Sequence, residues 1–189
     1  SLTTEISMNN KTLSQLRHIE GKRYVEEHGL YYDDFEIGDI YEHRPGRTVT
    51  EVDNIWQSLI NMNTHPLHID SIYAGETEFK KNLVSSLVTF SIVGGLSLDS
   101  TSNKAIANLG WKNVVLKAPV YVGDTLFAET KILNKRLSKS RANQGIVTVE
   151  TKGIKHPDEV VLIWERSFLI PTNPVVKINR GDDCEANQG

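Results

Sequence analysis

Leu83 to Leu96 reads Leu-Val-Ser-Ser-Leu-Val-Thr-Phe-Ser-Ile-Val-Gly-Gly-Leu, and this stretch constrains the fold more than any other. It is apolar on most faces, so as a helix it has to be buried rather than laid on a surface. The Gly94-Gly95 pair weakens helix propensity by about 1 kcal/mol per glycine relative to alanine. A close approach of backbone or ligand would rationalise the pair, and so would simple helix–sheet packing. From Ala105 onward the periodicity changes to short β-rich runs over 105–116, 125–137, 145–154 and 160–170. Turn-like separators divide them: Val122-Gly123-Asp124, 140–144 and His156-Pro157-Asp158. The last three runs read as an antiparallel meander. Helices followed by grouped strands, rather than alternating with them, indicate an α+β fold with the helix packed on one face of an antiparallel sheet.

The chain ahead of that helix is read by the same signals. Residues 11–28 carry helical apolar spacing at Leu13, Leu16 and Ile19, interrupted by Gly21, so a helix is expected there. Gly38-Asp39 marks a turn, and 40–50 follows as a strand whose Pro45-Gly46 suggests an edge or a bulge. Thr50 or Asp53 caps a helix over 51–62 that puts Val52, Ile55, Trp56, Leu59 and Ile60 on one face. Pro66 keeps His65 out of the helical region, which makes 63–67 a loop. A short helical segment over 69–79, with Tyr73 and Phe79 turned inward, then leads to the apolar helix. The organisation expected is a partly helical extension over 1–28, one domain over 29–172 and a flexible tail over 173–189.

Composition removes several classes. A chain of 189 residues with 39% hydrophobic and 24% charged residues suits one globular domain with a substantial core. A net charge of −3 gives no electrostatic reason to expect nucleic acid or an anionic membrane as partner. No run approaches the 18 or so apolar residues of a membrane helix. The first residues lack the apolar core of a signal peptide. Cys184 is the single cysteine, so no internal disulfide forms. A cytoplasmic protein is the expectation. Phosphate-binding glycine motifs are absent too, since Gly94-Gly95 lacks the preceding strand that such motifs need.

Three segments together resemble one family. They are Asn63-Thr64-His65-Pro66-Leu67-His68 with Asp70 two residues later, 79–89 leading into the apolar helix, and Pro119-Val120-Tyr121-Val122-Gly123-Asp124-Thr125-Leu126. Arg47-Thr48-Val49-Thr50 and Asn108-Leu109-Gly110 agree in the flanks. Across Tyr31 to Pro171 the chain resembles the MaoC-like hydratase/dehydratase family, which includes the (R)-specific enoyl-CoA hydratases. The resemblance implies a hot-dog fold, an antiparallel sheet wrapped around one long central helix. It departs in two places: Asn63 stands at the family's catalytic aspartate, and Ser86 at the glycine of the helix start. The Asn-Thr-x-Pro-Leu-His form with paired serines resembles a branch acting on mesaconyl-CoA or itaconyl-CoA.

Hydrating an α,β-unsaturated thioester requires a water aimed at the β-carbon, a proton for the α-carbon and stabilisation of charge on the thioester oxygen. Backbone donors at a buried helix N-terminus suit the last task, and by the family match that donor is the N–H of Ser86. His68 is the acid–base candidate, because neutral imidazole accepts a proton near pH 7. Asn63 can orient a water but cannot take its proton, so Asp70 or a carboxylate of the substrate could assist. Bland readings stand beside these. His68 could merely structure its loop, and Asn63 could merely end a helix. Ser85 and Ser86 could cap the central helix, and Asp70 the following turn. His65 is either a cation for a substrate carboxylate or structural. Arg141, in the turn 139–143, is either a phosphate contact for coenzyme A or a solvated hairpin tip. His65 and His68 flank a proline rather than share a helical face, which argues against zinc.

The expectation is therefore a reversible (R)-specific enoyl-CoA hydratase, a hydro-lyase using no cofactor beyond the coenzyme A of its acyl-CoA substrate. The resemblance also implies a homodimer. An acyl-CoA thioesterase on the same fold is one rival. A non-catalytic acyl-CoA-binding protein is the other, favoured by Asn63.

Overall fold

The computed structural model describes residues 14–174. The expectations for residues 1–13, for Cys184 and for the tail beyond Pro174 lie outside the described residues. Strands β5 (Thr125–Leu137), β6 (Gln144–Lys155) and β7 (Glu159–Pro171) form the meander read from the sequence, each antiparallel to the next. Their side chains alternate as a half-buried sheet requires. Val147, Val149 and Thr151 of β6, for example, all point inward, with the residues between them half-covered. Strand β3 (Ile40–Thr48) adds to one edge and β4 (Ala107–Leu116) to the other, giving the order β3-β5-β6-β7-β4. The pairing of β3 slips between His43 and Arg47, at the Pro45-Gly46 that signalled an edge or bulge.

Helix α4 (Ser86–Leu96) lies against β3, β5 and β6, so the sheet wraps one helix as the hot-dog resemblance implies. A Cβ at Gly153 of β6 would come within 2.6 Å of the Val93 side chain, and the missing side chain lets helix and sheet meet closely. Val84, Val88 and Val93 join Leu126, Val161, Leu162 and Trp164 in one core cluster. Phe35, Ile132, Val147, Val149 and Phe168 form a second. A buried polar layer of His43, Ser100, Thr101, Thr130, Thr151 and Arg166 accompanies them.

The structure corrects or adds to the sequence reading in four places. Residues 14–28 are a hairpin of β1 (Ser14–Glu20) and β2 (Arg23–His28), not a helix. Gly21 adopts a φ of +53° at its turn, where His18 Nε2 donates to the Gly21 carbonyl, and cross-strand pairing replaces the helical bonds that a central glycine would weaken. The apolar face of α1 (Glu51–Ile60) points outward: Trp56 is 66% exposed, while Asn54 and Ser58 face the protein. Tyr73 of α3 (Ser71–Glu76) is likewise exposed, although Phe79 is half-covered. Finally, α4 is buried on one side only, since Leu87 and Gly95 lie open. In each helix the docked side was decided by the partners tertiary structure offered rather than by the apolar stripe. No helix among the described residues is long and apolar enough to cross a membrane.

Candidate active site

The segment that carries the family motif is held by local capping. Thr50 caps α1, accepting from Asp53 N while the Asp53 carboxylate accepts from Thr50 N at 2.7 Å. Arg47 grips the same carboxylate through two 2.7 Å bonds, which holds its pKa well below the usual range. At the other end Met62 takes a left-handed φ of +56°, with its N–H donating to Leu59 O at 3.0 Å and Asn63 N–H to Ser58 O at 2.8 Å. This reciprocal pair of 6→1 and 5→2 bonds ends the helix and aims the chain back across the protein. Asn63 Oδ1 then accepts from His65 N at 3.3 Å, and His65 Nδ1 accepts from Leu67 N at 3.1 Å. With Pro66 at its first position, where no N–H is needed, a short helix α2 (Pro66–Ile69) follows. It begins within the expected loop.

His68 sits on α2 with its ring half-buried. Its Nδ1 lies 2.8 Å from Leu83 O, and a carbonyl only accepts, so the neutral ring carries its proton on Nδ1. The lone pair is therefore on Nε2. Leu83 is itself fixed, its N–H donating to Leu67 O at 3.2 Å and its backbone bridging to Tyr121. Two residues later comes Ser85, the N-cap of α4. Val88 N and Thr89 N are the first amides to bond back, both to Ser85 O at 3.0 and 3.2 Å. The amides of Ser86 and Leu87 precede those bonds, as the first donors of any helix do, and carry the positive end of its dipole.

His68 and Ser86 open onto one cleft of about 360 Å³. Its walls are mostly apolar, with Phe79, Val84, Leu116, Pro119 and Val120, and Thr89 and Lys117 supply further polar groups. His68 and the first residue of α4 thus line a common space. A smaller hollow of about 190 Å³ reaches the other side of His68, between Asn54, Lys81 and Asn82. Among the described residues no cluster of three or more His, Cys, Asp or Glu comes together to hold a metal.

The remaining sequence candidates divide by place. Asn63 is half-buried beside the site, but its amide is engaged on both sides: Nδ2 donates to Ser85 Oγ at 3.3 Å. Ser85 is fully buried at the N-cap of α4, and its hydroxyl serves Asn63 instead of capping the helix. His65 and Asp70 are exposed caps, Asp70 Oδ1 accepting from Ile72 N and Tyr73 N at 2.9 and 3.1 Å. None of these four lines the cleft. Arg141, expected as either a phosphate contact or a solvated hairpin tip, stands apart from this cleft in the single chain. It lies in the turn after β5, where its N–H donates to Ser138 Oγ at 3.2 Å, and it is not among the residues lining the cleft.

Asn54 was not singled out from the sequence. Its side chain, 1% exposed, donates through Nδ2 to His68 O at 3.0 Å and Leu83 O at 3.2 Å, and accepts from Ser85 N at 2.9 Å. The signal was available: Asn54 and Ser58 stand four apart, a polar pair on the face opposite the apolar stripe of α1. Lys117, adjoining the Pro119 segment, was likewise passed over.

Comparison with known proteins gives the family. The family model described as mesaconyl-CoA hydratase matches residues 12–189. A beta-methylmalyl-CoA dehydratase of Chloroflexus aurantiacus is 32% identical over 75% of this chain, which spans 40% of that protein's length. An (R)-specific enoyl-CoA hydratase of Aeromonas caviae is 32% identical over 57% of this chain and 75% of its own. The crystal structure of a MaoC-like dehydratase from Rhodospirillum rubrum superposes with a TM-score of 0.68 at 25% identity, over 77% of this chain and 99% of that one. A histidine with a free Nε2 and an unspent helix N-terminus sharing one apolar cleft, on a sheet wrapped around that helix, therefore belong to a member of the mesaconyl-CoA hydratase family.

Proposed function

We propose that this chain catalyses reversible (R)-specific hydration of an α,β-unsaturated acyl-CoA, with a short dicarboxylic acyl group of the mesaconyl type as substrate. The observation that carries the reading is the shared cleft, lined by both His68, whose proton sits on Nδ1, and Ser86 at the start of α4. His68 Nε2 takes a proton from water as the oxygen attacks the β-carbon. The π electrons move through the α-carbon to the thioester oxygen, where the Ser86 N–H stabilises the charge. The resulting enolate collapses as the α-carbon takes the proton back from His68, so one water is added and the catalyst is restored. Dehydration is the same path reversed. Coenzyme A enters only as part of the substrate. Among the described residues Lys117 is the one lysine or arginine on the cleft wall and supports the dicarboxylic assignment, because a second carboxylate needs a counter-charge. Asn63, with its amide held by Ser85 and His65 outside the cleft wall, supports the loop beside the site and is not a base.

The functional unit in this reading is a homodimer. Strand β4 is an edge strand exposed along almost its whole length, with Leu109, Trp111, Val115 and Leu116 open beside the uncovered side of α4. A long apolar edge of this kind is a template for pairing with another strand. A second copy of the chain is the partner assigned here.

The test is to incubate the protein with crotonyl-, mesaconyl- and itaconyl-CoA, following loss of the conjugated double bond and release of thiol in parallel. Bond loss without thiol is expected, and His68→Ala should lower it about 10²–10⁴-fold with an unchanged unfolding temperature. Thiol release would make the protein a thioesterase. Tight binding without turnover would make it an acyl-CoA-binding protein.

A further inference from the structure

Asn54 touches no part of the cleft that holds the reacting atoms, yet its amide meets the supports of both chemical groups. Leu83 O accepts from His68 Nδ1 at 2.8 Å and from Asn54 Nδ2 at 3.2 Å, and His68 O accepts from the same Nδ2 at 3.0 Å. Asn54 Oδ1 takes the N–H of Ser85, the residue immediately before the two unspent amides of α4. All of these bonds lie at one junction of α1, α2 and the start of α4, part-buried at His68 and Leu83 and fully buried at Ser85.

Resting on the hydratase reading, we propose that Asn54 is a positioning residue that holds the His68 tautomer and the α4 donors in one geometry. The argument is one of donors and acceptors. A free imidazole in water prefers its proton on Nε2, which would leave no base facing the cleft. Here the Leu83 carbonyl draws the proton to Nδ1, and that carbonyl points correctly only while its peptide is fixed. Asn54 fixes it with one N–H, fixes the α2 backbone with the other, and anchors α4 with its oxygen. Only a carboxamide has two donors and one acceptor in this arrangement. Aspartate has the same shape but offers oxygen to two carbonyl oxygens. Because small displacements of catalytic groups cost rate more than binding, the effect should fall on kcat.

The test uses the full chain labelled with 15N-histidine. Ring nitrogen shifts of wild type should show His68 protonated at Nδ1 near neutral pH. In Asn54→Ala the proton should move toward Nε2, kcat should fall about 10–100-fold, and KM should stay within about threefold. The acid limb of the kcat profile should shift with the tautomer. Added to His68→Ala, the Asn54→Ala change should cost nothing further. If Asn54→Ala does not fold, Asn54→Asp reads the same shifts and rates at equal volume. A folded Asn54 variant with His68 still protonated at Nδ1 and kcat within about twofold of wild type overturns the proposal. Failure of the underlying reading is distinguishable: wild type would then lack hydration, or His68→Ala would retain it, while the nitrogen shifts still report on Asn54.

Discussion

At the scale of single residues, the site turns on an amide standing where the family's motif carries a carboxylate. Asn63 donates to Ser85 Oγ and accepts from His65 N, so the side chain is fixed without any charge. An aspartate could keep both contacts, because the Ser85 hydroxyl can turn from acceptor to donor. Asn63→Asp is therefore expected to fold with a stability change of no more than about 1 kcal/mol. Its rate on crotonyl-CoA should equal or exceed wild type, as read by absorbance of the conjugated double bond. A complete loss would show that the amide itself recognises substrate. His68 was legible as a residue of the cleft wall, because the motif and its histidine chemistry pointed the same way; its acid–base role belongs to the proposed mechanism. Its tautomer was not legible, since the acceptor that sets it is the carbonyl of Leu83, a backbone group that no side-chain pattern advertises.

Between elements, the polar layer ties β3 to β5 and to the turn after α4. His43 Nε2 and Thr130 Oγ1 are 2.7 Å apart, as are His43 Nδ1 and Ser100 Oγ, and Thr130 in turn meets Thr151 at 2.9 Å. Burial, aided by the charges of Arg44 and Arg166, lowers the His43 pKa to about 4. The unfolded chain binds that proton near pH 6.5, so the folded state binds it less readily. The stabilising contribution is thus fully present above about pH 6.5 and is lost as pH falls toward 4, amounting to about 2 kcal/mol by pH 5. Urea unfolding at pH 7 and pH 5 should show wild type losing about that much more stability than His43→Gln. An equal loss in both would place the acid sensitivity elsewhere. At this scale the strands were legible from alternation and turn residues, and β5 begins and ends where the pattern does. The 14–28 hairpin was not, because Leu13, Leu16 and Ile19 fit a helical spacing that the turn at Gly21 overrides.

For the whole molecule, the exposed apolar surfaces say more than the core. The outer face of α1, the open side of α4 and the edge of β4 present large hydrophobic side chains to solvent in one chain. Patches of this kind mark interaction surfaces. Leu109 on β4 is 52% exposed, so replacing it should not open the core. Leu109→Asp is expected to leave the far-ultraviolet circular dichroism unchanged while shifting the mass measured by light scattering from dimer to monomer. A wild-type protein already monomeric at tens of micromolar would remove the dimer from the functional reading. The hydratase assay on the same variant then shows whether the cleft needs the second copy.

The order of residues alone determined which segments could be strands, that one apolar helix had to be covered by a sheet, and that a histidine loop preceded that helix. These are local properties: side-chain periodicity, turn chemistry and capping act over a few residues and survive in the unfolded chain's sequence. Tertiary structure alone decided that α1 docks through Asn54 and leaves Trp56 outside, and that Leu83 sets the proton on His68. It also set Arg141 in the turn after β5, apart from the cleft. Those outcomes depend on backbone donors and acceptors brought together from residues 14 to 31 positions apart, and a backbone group looks the same in every residue until the fold chooses its partner.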